Sequence, residues 1–286
     1  MSERIVSISA APYDGYDFPR VLESLAACGA THVEPAFIVG YTEPFDESAF
    51  TAERGRQYAA WLAASGLGCY AFSSHIDLGR PDAVEVFTGR MHFAAQLGAR
   101  VINTNAAARH LSAGFFRNIE VLARQAEALG LIIGLENPGD GSDNLINTGS
   151  DGIALIRRLG HPALRLNYDA GNTISHRPFD RPDGVAPAAD ARLALPACAY
   201  THIKDVRVSA DGYFFTPLGQ GDIDCAAILR AVALTSLNLS IELPLRLHRG
   251  PDAQPQRRPQ PVPLAEIEAA LRRSLAFVEH HLSMPS

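Results

Sequence analysis

Four residues between positions 136 and 242 have the types that a divalent cation takes, and each stands at the end of an apolar run. Glu136 closes L-I-I-G-L-E, Asp169 closes L-R-L-N-Y-D, His202 falls in A-Y-T-H-I-K-D, and Glu242 closes L-S-I-E. Asn137, Pro138 and Gly139 follow Glu136 at once, so its carboxylate sits where a buried strand gives way to a loop. A charge seldom ends a buried strand without a partner. Three carboxylates and one imidazole are mutual partners when they share one divalent ion. Any one of them alone is an ordinary polar strand end facing solvent or a helix, but four on successive strands argue for a site.

Such residues meet only if the elements carrying them point the same way. Gly29, Gly66, Gly98, Gly130 and Gly160 each close a helix-like segment and precede a short apolar run, which is the signature of a helix-to-strand junction. Phe115, Ile119, Leu122, Ala126 and Leu129 recur at helical spacing on one face, as do Val84, Phe87, Met91 and Ala94. Strands are expected near Ile5 to Ser9, His32 to Pro35, Gly68 to Ser73, Val101 to Thr104, Ile132 to Glu136, Leu164 to Asp169, Tyr200 to Ile203 and Leu239 to Glu242. Eight such units in 286 residues have the dimensions of an α/β (β/α)₈ TIM barrel, one domain over residues 1–286. A doubly wound open sheet would place a glycine-rich phosphate turn after its first strand, and here that turn reads S-A-A-P-Y-D-G-Y-D. In a barrel, all strand ends face one mouth, so Glu136, Asp169, His202 and Glu242 become neighbours. The proline-rich stretch from Pro244 to Pro263 is expected to be an irregular lid over that mouth.

Composition narrows the partners. With 25 basic against 31 acidic residues, the net charge is −6, which argues against a surface made to grip nucleic acid or an anionic membrane. Cys28, Cys69, Cys198 and Cys225 stand far apart and read as apolar fillers, as expected in a reducing cytoplasm. The apolar run at the N-terminus is too short for a signal peptide, and no stretch reaches the ~20 apolar residues of a spanning helix. Oligomeric state stays open, a homo-oligomer included.

With these residues in place, the chain resembles the xylose-isomerase-like TIM-barrel superfamily. That group holds sugar isomerases and epimerases, inosose and dehydroshikimate dehydratases, and metal-dependent apurinic endonucleases. The resemblance spans essentially the whole chain and rests on G-L-E-N-P-G-D-G, N-Y-D-A-G-N, T-H-I-K-D followed by P-L-G-Q-G-D-I-D, and S-I-E-L-P. It implies that Glu136, Asp169, His202 and Glu242 bind one catalytic divalent ion. The endonucleases carry extra histidines after strands four and six and further ligands before the L-G-x-G turn. Here Asn105, Asn172 and Tyr213 to Thr216 occupy those places, so a multi-zinc phosphodiesterase is disfavoured. A barrel that binds a sugar or partner protein without catalysis is disfavoured by the intact ligand set.

Oxygen-rich ligation suits Mn²⁺ first, then Mg²⁺ or Co²⁺, with Zn²⁺ a further option. Four protein ligands leave about two octahedral positions for the oxygens of a hydroxy-ketone, whose adjacent C–H then becomes acidic. Glu136 and Glu242 are the expected catalytic pair, one removing a proton and the other returning it or assisting loss of a hydroxyl. The outcome is an isomerase or epimerase in the first case and a dehydratase in the second. The substrate is expected to be a small sugar or cyclic polyol ketone.

Weaker signals attach to other residues. Lys204 shares the inward parity of His202 and is a candidate donor to a substrate oxygen, or else a solvated mouth lysine. Asn172 is set to bind substrate or to cap the next segment. His75 beyond strand three and Glu34 at the end of strand two are candidates for substrate hydroxyls, Glu34 alternatively pairing with Arg207. Tyr13, Phe37, Trp61, Phe214 and Phe215 either wall a pocket or fill core. Basic residues gather in the segments around the mouth: His176, Arg177, Arg207, Arg246, His248, Arg249, Arg257 and Arg258. They suit either a soluble lid or an anionic substrate, with Arg207 the foremost clamp.

Overall fold

Strand and helix alternate as the glycine punctuation predicts, because each of the five glycines takes a left-handed conformation, with φ of 84°, 71°, 88°, 68° and 60° in chain order. The computed structural model describes residues 4–37, 46–176 and 185–283, so Arg177 lies outside the described residues. The elements are β1 (Val6–Ser9), α1 (Phe18–Ala27), β2 (His32–Glu34), α2 (Ala52–Ser65), β3 (Ala71–Ser73), α3 (Ala83–Gln96), β4 (Val101–Asn105), α4 (Ser112–Ala128) and β5 (Ile132–Glu136). There follow α5 (Gly149–Leu159), β6 (Leu164–Asp169), α6 (Ala170–Ser175), α7 (Pro187–Ala194), β7 (Cys198–Ile203), β8 (Asp205–Ser209), β9 (Gly212–Thr216), α8 (Cys225–Ala233), β10 (Asn238–Ile241), β11 (Leu247–Arg249), β12 (Pro255–Arg257) and α9 (Leu264–Ser283).

Eight strands form one parallel sheet in the order β2-β1-β10-β7-β6-β5-β4-β3. Parallel bridges from His32 to Gly68 and from Ala36 to Ser73 join its two edges, which makes a nearly closed (β/α)₈ barrel in a single domain. The strand expected from Gly68 is therefore shorter, since Gly68 meets β2 only as an isolated bridge.

Strand parity sorts the side chains into two environments. Ile8, Val33, Phe72, Ile102, Ile133, Leu135, Leu166, Ile203, Leu239 and Ile241 join the main apolar core with the helices. The alternate residues face the barrel interior, where Ala71, Val101 and Tyr200 form a small apolar plug with Tyr70 and Ile132 packed against it. The rest of that inner face is polar: Ser7, Glu34, Ser73, Asn103, Glu136, Asn167, Asp169, His202 and Ser240 are all buried. Hydrogen bonds link part of it, Glu34 to Ser73, Asn103 and His202, and Asn167 to Glu136.

The stretch from Pro244 to Pro263 departs from the expected irregular lid. The hairpin β8–β9 leaves an open edge on β9, and β11 pairs with it antiparallel, His248 opposite Phe214 and Arg249 opposite Tyr213. With β12 outside β11, a four-stranded antiparallel sheet stands over the mouth. Pro255 fits because it starts an edge strand, where no donor is required of it.

Candidate metal centre

The four expected ligands converge. One ligand atom from each of Glu136, Asp169, His202 and Glu242 lies within 4.8 Å of the others, and all four residues are buried. Parallel pairing does this: Asp169 stands opposite His202 in register, and β10 runs alongside β7 on the other side. Asn137 secures the neighbouring strand ends, its Nδ2 donating to the Asp169 carbonyl while its Oδ1 accepts from the Asp169 N–H, both at 2.9 Å.

The electrostatics of the place suit a cation. Lys204 reaches in from the end of β7, and its Nζ lies 2.6 Å from both Asp169 Oδ2 and Glu242 Oε2. Gly171 permits this, because a Cβ there would sit 2.1 Å from Lys204 Cγ. Burial together with the charges of Glu242 and Glu136 raises Asp169 to about 6, against the pull of Lys204. For Glu242, burial works upward too, but Lys204 and His202 prevail and hold it well below the usual carboxylate range. The two acids share one ammonium, at the same distance from each. Burial would lower His202, yet Glu34, Glu136 and Glu242 raise it well above an ordinary histidine. Such a set, three carboxylates and an imidazole crowded out of water, fits a divalent ion: the cation would replace the protons that now help to balance the charge.

Above the ligands opens a cavity of about 340 Å³. Glu136 and Glu242 line it, together with His75, Asn105, Asn172, Lys204 and Phe215, whereas Asp169 and His202 lie beneath. His75 Nε2 is 3.5 Å from Glu136 Oε2. Asn172 Nδ2 donates to Glu136 Oε1 at 3.1 Å and to the Asn137 carbonyl at 2.8 Å, so its side chain steadies Glu136.

Two expectations are corrected. Glu34 is fully buried and does not line the cavity; it bonds Ser73, Asn103 and His202 beneath the ligands, facing neither a substrate hydroxyl nor Arg207. Arg207 is exposed on β8, outside the cavity lining, and its Nη2 donates to the Gln220 carbonyl at 2.9 Å. Of the other basic residues, Arg249 and His248 line the cavity. Arg249 donates to the carbonyls of Pro138 and Ala253, each at 2.9 Å, and His248 stacks on Phe214. Arg246 is buried against Asp14 and the carbonyls of Arg258 and Pro259. His176 is buried and Arg258 exposed, while Arg257 lies near Asp14. Tyr13 and Phe37 belong to the core, with Trp61 packed against it.

Sequence reasoning missed Asn167, whose Nδ2 donates to Glu136 Oε2 at 2.7 Å. Its position two residues before Asp169 on the same strand face was the available signal. It also missed Asp205, whose carboxylate accepts from the N–H groups of Val206, Gly219, Gly221 and Ile223 and so folds the P-L-G-Q-G-D-I-D turn.

Fold and site together define a TIM barrel with a mixed carboxylate and histidine centre at its C-terminal mouth. The chain belongs to the xylose isomerase-like TIM barrel family, whose model matches residues 22–268. Among solved structures, D-psicose 3-epimerase from Clostridium cellulolyticum H10 superposes with a TM-score of 0.74 at 15% identity, over 98% of this chain and 100% of that one. L-Ribulose 3-epimerase gives 0.69 at 21% identity, over 98% and 94%. A probable 3-DHS dehydratase from Bacillus anthracis gives 0.67 at 13%, over 96% and 98%. No curated protein matches the chain by sequence. Among the described residues, no helix is long and apolar enough to cross a membrane.

Proposed function

We propose that this chain is a divalent-metal-dependent isomerase or epimerase of a small neutral ketose, with Mn²⁺ as the ion. The observation that carries the reading is the division of the four ligands: Glu136 and Glu242 reach the cavity wall while Asp169 and His202 stay beneath it. A cation held there would supply positive charge to polarise a substrate carbonyl and acidify the neighbouring C–H. Glu136 takes the proton from that carbon on one side of the substrate, and Glu242, itself ionised, relays a proton from the Lys204 ammonium 2.6 Å away to the opposite side, which inverts the centre. Lys204 donates to a substrate oxygen from the floor, and its cost of burial is offset by Asp169 and Glu242. His75 and Asn172 hold hydroxyls beside Glu136.

A neutral substrate is favoured over an anion because Arg246 and Arg249 are committed to backbone carbonyls or to Asp14, and Arg207 stands outside the cavity lining. The dehydratase among the similar structures supports a second reading, in which a hydroxyl next to the ionised carbon leaves with help from Lys204. Incubation of the Mn²⁺-loaded protein with ketoses, inososes and dehydroshikimate in D₂O tests both readings. Deuterium entering next to the carbonyl of an epimerised ketose supports the first, and water loss from a cyclic substrate supports the second. A protein that binds no Mn²⁺ and exchanges no proton in any of them overturns the proposal.

A further inference from the structure

The metal reading leaves the buried carboxylate of Glu34 unexplained. Glu34 ends β2 with its side chain fully inside the barrel, and it is not among the four residues whose ligand atoms converge. Its Oε1 accepts from Ser73 Oγ at 2.6 Å and from Asn103 Nδ2 at 2.8 Å. Both its oxygens face His202 Nε2, at 3.0 and 3.2 Å. The other ring nitrogen of His202 looks elsewhere: Nδ1 lies 3.3 Å from Glu136 Oε2 and 3.7 Å from Glu242 Oε2. Asn167 Nδ2 is 3.3 Å from both nitrogens and so does not discriminate between them.

An imidazole ligates a metal only through a nitrogen that carries no proton, so a ligand histidine must keep its proton on the far nitrogen. We propose that Glu34 is a positioning residue that holds the proton of His202 on Nε2 and thereby leaves Nδ1 as the metal-ligating atom. Ser73 and Asn103 fix the carboxylate from the side, which prevents it from turning toward the ion as a fifth ligand. A carboxylate behind a ligand histidine also makes the imidazole a stronger donor. Glu34 therefore acts through His202 and never touches substrate. This inference rests on the metal reading above.

The test begins with the Mg²⁺-loaded wild-type protein, because magnesium is diamagnetic. Nitrogen-15 NMR of His202 should place the proton on Nε2; a proton on Nδ1 overturns the proposal without any variant. Glu34→Gln, close in shape, should then weaken Mn²⁺ binding by about 10- to 100-fold in calorimetry while the chain stays folded. Ser73→Ala removes a bond to the same carboxylate at the same depth but keeps the contact with His202, and it should stay near wild-type affinity. Equal losses in both variants, or an unchanged Mn²⁺ affinity in Glu34→Gln, overturn the role assigned to Glu34. A wild-type protein that binds neither ion instead removes the metal reading on which this rests.

Discussion

The half of the barrel made by β4 to β7 differs from the half made by β1 to β3 in both length and backing. The strands β4, β5, β6 and β7 run for 5, 5, 6 and 6 residues, paired in continuous parallel register apart from one shift between β6 and β7. Strands β2 and β3 have 3 residues each and meet only through isolated bridges. Behind them, Phe18, Phe37, Tyr58, Phe72 and Phe93 pack ring to ring, with centroids 4.7–6.3 Å apart. Long ladders fix strand ends well enough for ligands to converge, and Glu136, Asp169 and His202 come from those strands. The short strands gain their order from aromatic packing behind them, and they contribute Glu34, which works through His202.

If that division holds, substitutions in the two halves should fail in different ways. Glu136→Gln and Glu242→Gln should each cut turnover by ~10² or more, since each removes a ligand charge and a proton acceptor together. Circular dichroism should show both folded, and either variant retaining a tenth of the activity contradicts the two-glutamate scheme. Phe93→Ala, in the aromatic half, should cost about 3–5 kcal/mol of stability, as Phe93 is only 2% exposed. Its Mn²⁺ affinity, measured at a temperature where it is folded, should match wild type; a parallel loss of affinity would erase the distinction between the halves.

Protons sharpen the comparison further. In the metal-free protein, His202 holds its proton well above the ordinary range, and Asp169 holds one up to about 6. Ligation must displace both. Apparent Mn²⁺ affinity should therefore climb about tenfold per pH unit above 6 and more steeply below it, where Asp169 must also ionise. The sign for folding is opposite: between the ordinary aspartate value and about 6, the folded metal-free chain binds more protons at Asp169 than the unfolded one, so this group's contribution to stability falls as pH rises. Calorimetric titrations at pH 5, 6 and 7 would reveal the change in slope, and a single slope throughout would contradict it.

The smallest effect belongs to the hairpin over the mouth. Ala253 has φ of 64°, a left-handed conformation, at the tip between β11 and β12. Ala253→Gly should stabilise the protein by about 0.5–1 kcal/mol in chemical denaturation, because relief of that strain exceeds the added freedom of the unfolded chain. Activity should not change.

The barrel and the convergence of Glu136, Asp169, His202 and Glu242 are legible in sequence because helix ends carry glycine and because a polar residue closing an apolar run is conspicuous. Lys204 and Asn172 are legible as neighbours of Asp169 and His202, by parity and proximity. Glu34 is visible as a charge, but its partner is 168 residues away, and that contact exists only once β2 and β7 face one another across the closed barrel. The hairpin β8–β9 has a local sign, A-D-G between two β-rich runs. What no local pattern announces is that β11, amid prolines, pairs with its open edge. Arg207 looked like a clamp because nearness in sequence to His202 stood in for nearness in space, and an exposed strand carries it away from the cavity.

That strand is one rim of the small antiparallel sheet, and rims invite association with other chains. Both rims here are blunted. On β8, Asp222 takes the Val208 N–H with its carboxylate at 2.7 Å and gives its own N–H to the Val206 carbonyl at 2.8 Å, while Arg207 adds an exposed charge. On β12, Pro255 has no N–H to offer. The residues that roof the cavity thus also keep neighbouring molecules from zipping onto it, so shortening Gly221–Asp222 or replacing Pro255 would first be felt as clumping of the protein in concentrated solution.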